Sequence, residues 1–67
     1  MATFVPPSTD EISIAALERA DTAIAELRAL RTNAAYPYRR DLDRAISDYS
    51  RVANIIRTRL RERGLLP

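Results

Sequence analysis

The side chains in this sequence able to move a proton or hold a ligand are nine carboxylates, three tyrosines and eleven arginines, with no His and no Cys. Losing imidazole and thiol removes the usual general base near neutral pH, the thiolate nucleophile, any disulfide and the commonest zinc ligands. Carboxylates alone could still perform acid–base work if two converged, but their spacing points elsewhere. Glu18, Asp21 and Glu26 fall mainly away from the expected helix contact, and Asp41 and Asp48 each precede an arginine by three residues, the spacing of ordinary helix-surface pairs. Carboxylate-bridged metal bundles add a Glu-x-x-His element, and phosphate-binding or nucleophile-elbow chemistry needs glycine-rich turns. Neither pattern is present. The expectation is a non-enzyme with no catalytic residue, no metal, no cofactor and no small-molecule substrate.

The arginines suggest a different chemistry. Tyr36, Arg39 and Arg40 put aromatic and guanidinium groups side by side, a combination able to stack on bases and bind phosphates. Arg57, Arg59, Arg61 and Arg63 form a second cluster, although every-second-residue spacing on a helix scatters them over more than one face. The plainer alternative is solvated charge, with Tyr38 in a helix contact and Tyr36 covering a loop. A net charge of +2 is too small a surplus to imply nucleic acid by itself. Every basic residue is Arg, which fits a GC-rich bacterial or phage genome as well as selection for bidentate hydrogen bonding. Nucleic-acid binding is therefore the second hypothesis, behind protein–protein interaction.

The elements that must carry these residues are helices. Residues 1–7 end in Pro6-Pro7 and read as an extended arm, after which Ser8 and Glu11 fit a capping box opening a helix over 9–33. Residues 34–37 form the turn, where Asn33 can tolerate a left-handed helix end and Pro37 disfavours helix at Tyr36. A second helix over 38–63 stops at Gly64, whose following Leu65 is placed to fold back on the last turn, and residues 65–67 form a tail. A hairpin spanning 8–64 follows, because a short connector between two long helices makes them antiparallel neighbours.

The apolar periodicity offers two stripes. The larger joins Ile12, Ala16, Ala20, Ala23, Leu27, Leu30 and Ala34 to Tyr38, Leu42, Ala45, Tyr49, Val52, Ile56 and Leu60, and setting Ala against larger residues suits close packing. This stripe is the expected intrachain seam, in a register that lays the arginine-rich end of helix 2 beside the acidic start of helix 1. Leu17, Ile24, Ile46 and Ala53 are left over as the expected partner or oligomer interface. Two helices cannot cover that second stripe. An all-α fold therefore emerges, an antiparallel two-helix hairpin completed to a four-helix bundle by self-association or by docking on a protein partner. Ile14 and Ile55 belong to neither stripe.

Phe4 and Val5 in the arm, with Leu65 and Leu66 in the tail, come to the same pole of the hairpin. They could close the open end of the core, or the arm could anchor Phe4 and Val5 in a neighbouring protein. The sequence offers no apolar run of about 20 residues and no recognisable signal peptide at its start, so the expectation is a cytoplasmic protein, or one within a soluble assembly such as a virion, with no membrane partner.

Overall fold

A computed structural model of the chain describes residues 5–66, and Phe4 of the expected arm anchor lies outside them. Helix α1 spans Thr9–Asn33 and helix α2 spans Tyr38–Glu62; the two pack against each other, and no strand occurs among the described residues. The start of α1 is set by Ser8, which is extended and whose hydroxyl accepts the Glu11 backbone N–H at 3.1 Å. That bond satisfies one of the four amides a helix start leaves without partners. Within the described residues, no helix is long and apolar enough to cross a membrane.

The two helix ends are built differently. Among the described residues none other than glycine has a positive φ, so Asn33 does not turn left-handed; the chain leaves α1 through Ala34 in extended geometry, with the Ala34 N–H donating to the Arg31 carbonyl at 3.2 Å. At the far end Gly64 does take φ 73°. The Gly64 and Leu65 amides donate to the Arg61 and Leu60 carbonyls, both at 2.9 Å, which is the Schellman pattern of bonds. The fold-back differs in one residue from expectation, because Leu66 packs against the core while Leu65 stays exposed.

The seam itself corrects the sequence reading. The core consists of Leu17, Ala20 and Ile24 from α1 with Ala53 and Leu60 from α2, and Ile46, Ile56 and Leu66 pack against it. Leu42 is buried as well. Leu17, Ile24, Ile46 and Ala53, the stripe expected to await a partner, are thus consumed inside the chain. Ile12, Leu30, Tyr38, Tyr49 and Val52, expected in the seam, are exposed, with Val52 at 50% and Ile12 at 55%. Both arrangements share Ala20, Leu27, Leu42, Ile56 and Leu60. Moving between them turns the helices by less than one residue step of about 100°.

The physical reason is the unequal size of the side chains on α1. A fully buried Leu or Ile contributes about 1.5–3 kcal/mol, whereas the alternative stripe on α1 is largely alanine. The half-buried residues around Leu17 and Ile24 extend this row at heptad spacing through Ser13, Leu27 and Arg31. Small residues then admit the large ones: Leu60 is completely buried, and the alanines at 20 and 53 let the backbones approach.

This seam has direct consequences for stability. Leu60→Ala and Ile24→Ala should each cost about 2–5 kcal/mol, read as a lower urea midpoint or lost helicity, whereas Ile55→Ala on the exposed back of α2 should stay within about 0.5 kcal/mol. Equal effects at positions 55 and 60 would rule out this packing. Gly64→Ala should cost about 1–2 kcal/mol through backbone strain alone, since an added Cβ meets no atom within 4 Å.

Candidate protein-interaction surface

At 100° per residue, the seam divides the surface of the hairpin into two flanks of opposite character. One flank is crossed by charge. Arg57 reaches across from α2 to Asp21 on α1, Nη2 to Oδ1 at 3.1 Å, and its other nitrogen donates to the Asn54 side-chain oxygen at 3.0 Å. Near the turn, Arg31 on α1 pairs with Asp43 on α2. At the open pole, Arg63 grips Asp10 through two bonds, Nε to Oδ1 at 2.7 Å and Nη2 to Oδ2 at 2.8 Å. The hydrogen bond that Arg63 donates to Asp10, followed by the carboxylate's charge, raises the Arg63 guanidinium above its ordinary value.

The other flank is apolar. Ala16, Ala20 and Ala23 on α1 and Tyr49, Val52 and Ile56 on α2 line an open groove of about 370 Å³, with Arg19 at its edge. Ile12 and Leu30 continue the row on α1 in both directions, four residues before Ala16 and seven after Ala23. On α2 it continues through Ala45 to Tyr38. The groove exists because three of its positions on α1 are alanines, which cannot fill the space beside the protruding Tyr49 and Val52. Part of the stripe expected as an internal seam, Ile12, Leu30, Tyr38, Tyr49 and Val52, is therefore left open, and these side chains are about half exposed.

The arginine clusters are placed otherwise than a phosphate grip would need. At the turn, the Arg40 guanidinium lies 5.5 Å from the Tyr36 ring centroid, and Arg40 Nη1 donates to the Tyr36 hydroxyl at 3.3 Å. Arg40 also lies 3.9 Å from Asp41. In the second cluster, Arg57 and Arg63 are committed to Asp21 and Asp10, and Arg59 lies 3.9 Å from Glu62. Arg39 and Arg61 are exposed. Thus the Arg57–Arg63 run is divided among different partners and does not converge on one point. Val5 of the arm is 78% exposed and packs on nothing in the hairpin core, while Leu66 closes the open pole. Among the described residues, no three His, Cys, Asp or Glu side chains come together as metal ligands would.

Comparison with protein-family models, curated proteins and solved structures gives no match to this chain.

The Asp21–Arg57 pair is half exposed at the carboxylate, so it belongs with ion pairs worth under about 1 kcal/mol. A double-mutant cycle on Asp21→Ala and Arg57→Ala should return a coupling of about 0.2–1 kcal/mol that shrinks in 1 M salt. A coupling of zero at low salt would show that this contact does not persist in solution.

Proposed function

We propose that this chain is a non-enzymatic helical assembly module, a small structural or accessory subunit whose apolar flank is covered by another helical surface to make a four-helix bundle. One observation carries the reading. After the hairpin has closed its own seam on Leu17, Ile24, Ala53 and Leu60, a row through Ile12, Ala16, Ala23, Leu30, Tyr49 and Val52, bordered by the partly buried Ile56, stays at the surface of one flank. Burying such a row stabilises a scaffold that is otherwise near the lower size limit for independent folding. The asymmetry adds to this, because the opposite flank has its charges paired across the helices and would lose them on burial.

The interface proposed here is therefore the complement of the one read from sequence periodicity. Its mechanism is removal of apolar area from water around a two-helix groove, with Tyr49 as the aromatic anchor and charged residues at the rim setting orientation. The nucleic-acid alternative has weaker support: the aromatic ring of the turn already holds Arg40, and two arginines of the helix-end cluster already hold aspartates.

Photocrosslinking in the cells that naturally make the protein tests the reading. A photoreactive residue at position 52 should give a protein adduct, either with a second copy or with a different chain, while one at Ala25, exposed four residues after Asp21 on the charged flank of α1, should give little. Equal or absent adducts at both positions would reject the assembly reading. A probe at position 39 that captured nucleic acid, with position 52 silent, would put the alternative in its place.

A further inference from the structure

The charges bordering the apolar flank are not randomly distributed. On α1, Arg19 lies at the groove edge, three residues after Ala16, and Glu26 shares a shallow depression with Arg19, Thr22 and Ala23. On α2, Asp48, which pairs with Arg51 at 2.8 Å, lies four residues before Val52, and Arg59, 3.9 Å from Glu62, lies seven after it on the same side. The cross-helix pairs Asp21–Arg57 and Arg31–Asp43 fix the relative heights of the two helices. At those heights Arg19 and Arg59 border the half of the groove nearer the open pole, and Glu26 and Asp48 border the half nearer the turn. The flank is thus an apolar strip with a basic end and an acidic end.

Resting on the assembly reading above, we infer that the occupant of this flank is a second copy of the chain, stacked face to face and antiparallel. A two-fold axis lying in the contact plane, perpendicular to the helices, lays α1 on α1 and α2 on α2 in opposite directions. Arg19 of one copy then faces Glu26 of the other, twice by symmetry, and Arg59 faces Asp48, also twice. One axis serves both sets. The midpoint of Arg19 and Glu26 falls at residues 22–23, which the cross-helix pairs place opposite residues 52–55 of α2, and the midpoint of Asp48 and Arg59 falls at residues 53–54.

The same axis matches shapes. Leu30 of one copy is set over Ala16 of the other, and Val52 over Ile56, so large residues meet small ones on α1 and the aliphatics meet on α2. The other face-to-face arrangement, with the axis along the helices, lays α1 on α2 and sets Arg19 beside Arg59 and Glu26 beside Asp48. Like charges oppose it throughout. The area is also adequate. Two helices about 37 Å long and ~8–10 Å apart present a face of roughly 700 Å², so two copies would bury on the order of 1,400 Å², inside the range of stable interfaces.

Arg19 and Glu26 make the decisive test because both are exposed and, among the described residues, neither has an ion-pair partner in its own chain. The full chain would be followed by sedimentation equilibrium at low ionic strength, with helicity monitored by circular dichroism. The native chain should be a two-chain species. Arg19→Glu and Glu26→Arg should each weaken dimerisation by roughly tenfold, with helicity of the folded chain kept, and the double variant should return to within about threefold of native. A native chain that stays monomeric and helical at high concentration would overturn the second copy as occupant, while a position-52 adduct with a different protein would leave the assembly reading standing. A dimer whose affinity ignores both single reversals, or a double variant no better than the singles, would overturn the antiparallel stacking.

Discussion

The packing of Leu17 and Ile24 on α1 against Ala53 and Leu60 on α2 is the contact on which the rest of this molecule depends. With two helices and no disulfide or metal ligand set of the usual kind, there is one place where large aliphatic side chains can leave water together within the chain. Their burial decides how each helix is turned about its axis. Once that rotation is set, two flanks follow: the pair of Arg57 and Asp21 spans the helices on one, and Ala16, Ala23, Tyr49 and Val52 line the groove on the other.

The division of labour between the flanks follows from what each can do with its polar groups. Charged pairs at half-exposed positions contribute little stability, but they bridge the helices at both ends and near the middle, and thereby hold the relative height of α1 and α2. The apolar flank carries its charges at the rim. It offers area instead, and the alanines at 16 and 23 make it concave, so that a second helical surface could approach closely. Rim charges of opposite sign at its two ends add direction to a surface that apolar contact alone would leave free to slide.

Much of the architecture is legible in the sequence itself. Ser8 with Glu11 marks a helix start through a local hydrogen bond, Gly64 marks a stop through its access to positive φ, and Pro37 restricts the residue before it. Such signals act over a few residues, so they can be read one segment at a time. The choice of seam was not legible in that way. Periodicity is satisfied by the alanine-rich stripe and by the Leu17–Ile24 stripe alike, because the two differ by less than a residue's turn and share Ala20, Leu27 and Leu60. Counting apolar positions favoured the longer stripe; weighting them by buried area favours the one with Leu17 and Ile24, a signal present in the sequence but outweighed by regularity.

Two long helices, their ends, their antiparallel pairing and the absence of His and Cys chemistry were already written in the order of the residues, since propensity, capping and side-chain inventory are local properties. Which apolar stripe faces inward, which arginines are spent on aspartates across the hairpin, and which surface is left open were decided only when both helices were placed together. Those outcomes depend on competition between alternative contacts for the same limited area, and that competition has no counterpart in either helix alone.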